Sequence, residues 1–272
     1  MSSFHKAMQS FSRGETGPEA LLAEIVRTQG SVPRGEGAAM LLDRFGRFYG
    51  TVGGGSVEYI AQKKMRALWG RCDREEETYS LGGDQEGVDT GMLCGGAVTI
   101  RFCRITPEDA SLWLQGHRAP TRIYIYGAGH VGKALAALLS LQEYSITICD
   151  DREALLTEES FPGAERILCP DMTAAPLPAG AGDLIAIMTH GHTYDLALLR
   201  RAMKTPARYI GVLAGHKKAE AALRVLREDG FSEQEISARV HTPIGLAIGA
   251  ETPEEIAVSI AAELIRLLRA ET

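Results

Sequence analysis

Midway along the chain, Arg122-Ile-Tyr-Ile-Tyr-Gly127-Ala-Gly129-His-Val-Gly132 reads as a strand that runs into a G-x-G-x-x-G turn and opens a helix. Each glycine has a mechanical reason to lack a side chain. Gly127 permits the tight turn, Gly129 lets backbone approach a pyrophosphate, and Gly132 lets the helix pack closely on the strand. A second strand, Ser145 to Cys149, ends in Asp150, about 20 residues downstream, where such folds place the acid that binds a ribose hydroxyl. His130, inside the turn, faces whatever occupies it, either as a donor to phosphate or as an exposed residue. The pattern predicts a dinucleotide-type site but does not name the ligand, since nicotinamide, flavin and pterin dinucleotides all carry a pyrophosphate and a ribose.

The late position of this turn leaves an upstream half with its own role, and 272 residues suffice for two cores. Downstream, strands at 122–126, 145–149, 165–169, 183–188 and 207–212 alternate with helices at 131–141, 153–159, 194–203 and 215–229. Alternation of this kind predicts a Rossmann-like parallel sheet with helices on both faces. Thr252-Pro253-Glu254-Glu255 marks the start of the last helix, with Thr as cap, Pro in the first turn and Glu255 returning the capping hydrogen bond. Upstream, the spacing of Leu21, Leu22, Ile25 and Val26 predicts an amphipathic helix over 18–27. Strands at 38–43 and 48–49 form a hairpin, a helix covers 57–69, and strands follow at 75–81 and 97–104, so this half is α+β. The expected domains are 1–116 and 117–272, with the linker in the stretch 106–120, which carries a helix-start signal at Thr106-Pro-Glu-Asp and then a polar, Pro-containing segment.

The charge balance, 29 Lys and Arg against 35 Asp and Glu, contains no basic block that would track a nucleic-acid backbone. No apolar run approaches the ~18 residues of a membrane span, and Met1 to Lys6 carry no apolar core of a secretory signal, so a cytosolic protein is expected. Five cysteines without a C-x-x-C pair argue against a zinc knuckle or a disulfide framework.

Cys94 is followed by Gly95 and Gly96, which give its sulfur little cover and place backbone N–H groups nearby. It reads as a nucleophile, a sulfur carrier or a soft-metal ligand, or else as a small buried residue at a strand end. Gly53-Gly54-Gly55 before a helix, and Gly35 and Gly37 beside Arg34, could hold an anion on one shared ligand or be plain turns. His190 and His192, with Asp195 nearby, follow a strand at the end where open α/β sheets bind ligands. A substrate or phosphate contact is favoured there over a metal, which needs three or four converging ligands.

Six blocks, Gly30-Ser-Val-Pro-Arg-Gly-Glu-Gly37, Gly50-Thr-Val-Gly-Gly-Gly-Ser-Val-Glu58, Leu93-Cys-Gly-Gly96, Asp150-Asp-Arg152, Thr189-His-Gly-His192 and Pro243 to Ile260, join the glycine turn in one order along the chain. Together they resemble the xanthine dehydrogenase accessory protein family (XdhC/CoxI). The resemblance implies a maturation factor that binds the molybdenum cofactor, in a molybdopterin or dinucleotide form. Such a factor protects the cofactor while a cysteine desulfurase helps install its terminal sulfur, then delivers it to an apo molybdenum hydroxylase. It also implies a homodimer, a pyrophosphate against Gly127, Gly129 and Gly132, a ribose near Asp150, and a metal end directed to Cys94 and the glycine loops. One departure is Ala214-Gly215-His216-Lys217-Lys218, where the family usually has Gly-Ser-Arg. The competing expectations are an NAD(P)-dependent oxidoreductase with Cys94 or His190 catalytic, and a metal-dependent hydrolase at His190 and His192.

Overall fold

The computed structural model describes residues 4–71, 73–82, 87–92, 95–117, 120–142 and 144–270. They divide into two compact units, Met1–Ala119 and Pro120–Thr272.

The first unit is built on a six-stranded sheet of order β3-β2-β1-β6-β4-β5. The strands are β1 (Ala20–Gln29), β2 (Ala39–Leu42), β3 (Phe48–Gly50), β4 (Arg74–Ser80), β5 (Val88–Asp89) and β6 (Ala97–Ile105). The segment expected to be an amphipathic helix over 18–27 is therefore the strand β1, paired antiparallel with both β2 and β6. Both faces of β1 are covered. Leu21, Ala23 and Ile25 pack towards helix α2 (Gly55–Leu68), and Ala20 and Leu22 towards helices α1 (Phe4–Ser12) and α3 (Pro107–Gly116). A strand buried on two faces has no reason to alternate, so its apolar residues match a helical spacing by coincidence. In α1, Phe4, Ala7, Met8 and Phe11 fall on one face and fill the second core. Within the stretch expected to be a linker, Thr106 and Asp109 form a reciprocal capping box with Pro107 in the first turn, and these start α3.

The second unit holds strands β7 (Thr121–Tyr126), β8 (Tyr144–Asp150), β9 (Glu165–Leu168), β10 (Leu184–Ile187), β11 (Tyr209–Val212) and β12 (Val240–His241). All neighbours are parallel and the order is β12-β11-β10-β7-β8-β9. This is the Rossmann-like architecture expected from the alternation. Successive strands run outwards from β7 through β8 to β9, then restart on its other side at β10, so the β7/β10 boundary is the switch point of the topology. One face is covered by α4 (His130–Ser140) and α8 (Pro253–Arg269), the other by α5 (His192–Ala202), α6 (His216–Glu228) and α7 (Glu233–Arg239). The expected capping box of Thr252 and Glu255 is formed at the start of α8. Between β8 and β9 the expected helix over 153–159 is one 3-10 turn, Glu153–Leu155. Among the described residues no helix is long and apolar enough to cross a membrane.

Candidate functional site at the carboxyl end of the parallel sheet

The glycine turn leaves β7 at the switch point. Gly127 has φ of +123°, and a side-chain carbon on it would lie 2.6 Å from the Met188 carbonyl carbon, directly after β10. Its N–H donates to Cys149 O at 2.8 Å, which ties the turn to β8 as well. A carbon on Gly132 would collide with the Gly127 carbonyl group. Gly127 and Gly132 are thus required by the fold itself. Gly129 differs. It sits at the N-cap of α4 with an ordinary φ of −70°, and a side-chain carbon there would meet nothing within 4 Å. Neither backbone strain nor packing demands a glycine at this point; an N-cap favours glycine over larger apolar residues, and the bare backbone leaves the helix N-terminus open to approach. The α4 N-terminus has no acid in its first turn and no side-chain cap, and His130 is exposed on its first residue.

Asp150 sits at the end of β8, as the spacing predicts, with its carboxylate already engaged by the chain itself. Its residue is 1 % exposed. Its Oδ2 accepts from Ala128 N–H (2.6 Å) and an Arg152 guanidinium N–H (2.8 Å), and its Oδ1 from Arg152 N–H (2.9 Å) and Nε (2.8 Å). A carboxylate offers about four acceptor directions, and all are used. Asp150 is a brace that grips the glycine turn from behind. Burial pushes its carboxyl up, but the guanidinium of Arg152 and the two backbone donors outweigh that and hold it at about 2. The neighbouring Asp151 is the acid at the surface of the crevice. It accepts from His190 Nε2 at 2.9 and 3.1 Å and lies 3.7 Å from Arg152 Nε.

The two expected histidines go to different partners. His190 turns to Asp151, while His192, exposed at the first residue of α5, lines a small depression with Asp195, Ala214 and Lys218. Asp195 is buried and accepts from Thr189 N–H (3.1 Å) and Oγ1 (2.6 Å), which fixes the loop carrying His190. Burial raises its carboxyl above the ordinary range, against the Thr189 hydrogen bonds. His190 and His192 therefore do not converge. Among the described residues no three His, Cys, Asp or Glu side chains group in a way that could hold a metal ion, so the hydrolase expectation finds no ligand set there. Gly215, His216 and Lys217 are exposed at the start of α6. On the opposite face, Glu263 of α8 accepts from Tyr209 Oη (2.5 Å), His241 Nδ1 (3.1 Å) and Gly245 N–H (2.9 Å), anchoring the loop that follows β12.

In the first unit Gly53, Gly54 and Gly55 have φ of +139°, +74° and +58°, a run that only glycine adopts readily. Their expected role as anion donors is corrected in part. Gly54 N–H donates to Glu58 Oε2 (3.0 Å), Gly53 N–H to Thr51 Oγ1 (3.2 Å), and Thr51 Oγ1 to Glu58 Oε2. The start of α2 is thus served by its own acid. Three segments meet here. A carbon on Gly53 would lie 3.7 Å from Pro33 Cβ, one on Gly55 3.7 Å from the Met92 methyl, and one on Gly30 3.2 Å from Gly95 O. Arg34 is exposed beside them, on the same loop as Pro33. Cys94 lies outside the described residues.

The residues that spacing did not single out are Asp151 and Arg152. Two consecutive acids followed by an arginine at a strand end carried the signal, but only geometry shows which acid turns inwards.

Residues 123–264 match the family model described as the XdhC Rossmann domain, and residues 15–80 that of the XdhC and CoxI family. Among curated proteins, the uncharacterized protein YqeB of Escherichia coli is 33% identical over 258 residues, 90% of this chain and 43% of that protein. The chain thus spans less than half of that relative. A Bacillus subtilis protein described as a probable xanthine dehydrogenase subunit is 25% identical, with 98% of each chain covered. The molybdenum cofactor insertion chaperone PaoD of E. coli is 23% identical over 92% of this chain and 83% of its own. A crystal structure described as a xanthine dehydrogenase from Bacillus halodurans shares the fold, with a TM-score of 0.79 over 99% of this chain and 97% of that one at 21% identity.

Proposed function

The chain belongs to the XdhC/CoxI family, and from that premise we propose that it is a molybdenum cofactor-binding maturation chaperone. Its client is a molybdenum hydroxylase of the xanthine dehydrogenase type. The observation that carries the proposal is Gly129, a glycine that neither backbone strain nor packing demands, standing open at the N-terminus of α4 on the switch point of a parallel sheet. A phosphate placed there meets helix N–H donors and the positive end of the helix dipole. The residues present fit the phosphate end of a pterin cofactor. The relatives named as a cofactor insertion chaperone and as part of a xanthine dehydrogenase support the same reading.

In this reading the cofactor is cargo, and the protein's part is to bind, orient and shield it. Asp150 and Arg152 hold the turn in its binding shape, and Asp195 fixes the loop of His190. Cys94 handles the soft molybdenum end, for which a thiolate is the suited ligand. A cysteine desulfurase is the proposed source of the terminal sulfur, the apo-hydroxylase is the recipient, and the working form is a homodimer.

The test is anaerobic purification from a host that makes the cofactor, followed by molybdenum analysis and pterin fluorescence after oxidation. Molybdenum and pterin in stoichiometric amounts are expected. Bound NAD(H) or NADP(H) in their place, with substrate-dependent turnover, would replace the chaperone reading with that of an oxidoreductase.

A further inference from the structure

The strand order places β7 between β10 and β8. Asp151 follows β8 and His190 follows β10, so their contact of 2.9 Å reaches across the carboxyl end of β7, where the glycine turn begins. A ligand with phosphates at Gly129 and a sugar at the end of β8 has to cross this line.

We propose that Asp151 and His190 form a clasp over the switch-point crevice that is exchanged, on binding, for the ribose diol and the phosphate of a nucleoside diphosphate group. His190 Nε2 turns from the carboxylate to a phosphate oxygen. Asp151 accepts from the vicinal hydroxyls, the role that Asp150 cannot fill because its acceptor directions are all used. The exchange needs no covalent step. It does set a selectivity. A ligand with phosphate alone takes His190 away and leaves Asp151 short of a donor beside a second negative charge, whereas a nucleotide satisfies both groups at once. Arg152 Nε, 3.7 Å from Asp151 but committed to Asp150 at 2.8 Å, does not compensate. Taken with the function proposed above, on which this step rests, the cargo is the nucleotide-extended form of the pterin cofactor rather than the form that ends in a phosphate.

The experiment is calorimetric titration of the full chain with adenosine, cytidine and guanosine diphosphates, their 2′,3′-dideoxy counterparts, and inorganic pyrophosphate. At least one ribonucleoside diphosphate should bind roughly ten- to a hundredfold more tightly than its dideoxy counterpart, the range expected for hydrogen bonds to a charged group. Asp151→Asn should erase most of that difference and leave pyrophosphate affinity unchanged or raised. Equal affinity for the ribo and dideoxy forms in the unaltered protein would overturn the proposal, and that arm does not depend on any variant folding. So would an Asp151→Asn protein that keeps the preference, or a protein that binds none of the probes. Sugar selectivity in a protein that carries no molybdenum or pterin would retain the clasp and sink the chaperone reading, while molybdenum and pterin without sugar selectivity would do the reverse.

Discussion

Two glycines two residues apart in one turn should fail in opposite ways. At Gly127 an alanine takes a φ of +123° that L-residues rarely adopt, and its methyl would lie 2.6 Å from the Met188 carbonyl carbon and 3.1 Å from Thr189 N. Strain of that kind costs about 1–3 kcal/mol, and displacing backbone on a neighbouring strand adds a similar amount. A total of about 4 kcal/mol is a large share of the ~5–15 kcal/mol that stabilises a domain, and corresponds to a melting temperature lower by about 8–16 °C. At Gly129 the first side-chain carbon of a valine meets no atom within 4 Å, and the residue keeps φ of −70°. Its cost is the poorer cap, about 1 kcal/mol, offset in part by the entropy that glycine gives the unfolded chain. That variant should melt within about 4 °C of the unaltered protein. Its isopropyl group nevertheless occupies the volume a phosphate needs, and molybdenum and pterin should be lost on purification. The assays are thermal melts and metal and pterin content on the same preparations. A Gly129→Val protein that retains its cargo, or a Gly127→Ala protein as stable as its parent, would refute the assignment of strain to one glycine and ligand space to the other.

Asp150→Asn should loosen the turn and cost about 2 kcal/mol at neutral pH, the value of a carboxyl held near 2 in the folded state against its ordinary value. Because the folded value is the lower one, this stabilisation is complete above about pH 4 and lost as pH falls towards 2. Acid melts of parent and variant should therefore converge in that window, and a gap that persists at pH 2 would count against the brace. Tyr209→Phe removes one of three donors to buried Glu263 and should cost about 1–3 kcal/mol by urea titration, with cargo retained; an unchanged midpoint would mean that water or His241 fully replaces the phenol. Cys94→Ala should abolish cofactor retention while leaving the melting temperature unchanged, and normal molybdenum content in that variant would remove the thiol from the reading.

The legible parts of the sequence are those where one local rule acts alone. The glycine turn and the Thr252–Glu255 box stand where the spacing puts them, and the strand–helix alternation holds except over 153–159, which is one 3-10 turn. β1 reads wrongly as a helix because burial on both faces, a property of its neighbours α1, α2 and α3, removes the alternation that identifies a strand. The start of α3 is legible at Thr106-Pro107 and Asp109, but not its length, since the polar, Pro-containing residues that follow draw the linker over it. At the site, spacing locates Asp150, but not the inward turn that spends its carboxylate on Ala128 and Arg152 and leaves Asp151 at the surface. Likewise Gly53 to Gly55 announce a special backbone, yet only the fold shows Glu58 reaching back to claim the Gly54 amide.

β6 is the last strand of its sheet in chain order, yet it takes a central seat, paired along its length with β1 on one side and β4 on the other. Ala20 pairs with Ile105, so the sheet closes through a loop of more than eighty residues, and the entropy of that closure precedes the reward. Until β6 arrives, β1 presents an open edge and two apolar faces, the form most prone to pair with another copy. The first unit should accordingly fold in one late, cooperative step, and a fragment cut before residue 97 should have no native-like subset to fall back on and should aggregate rather than fold.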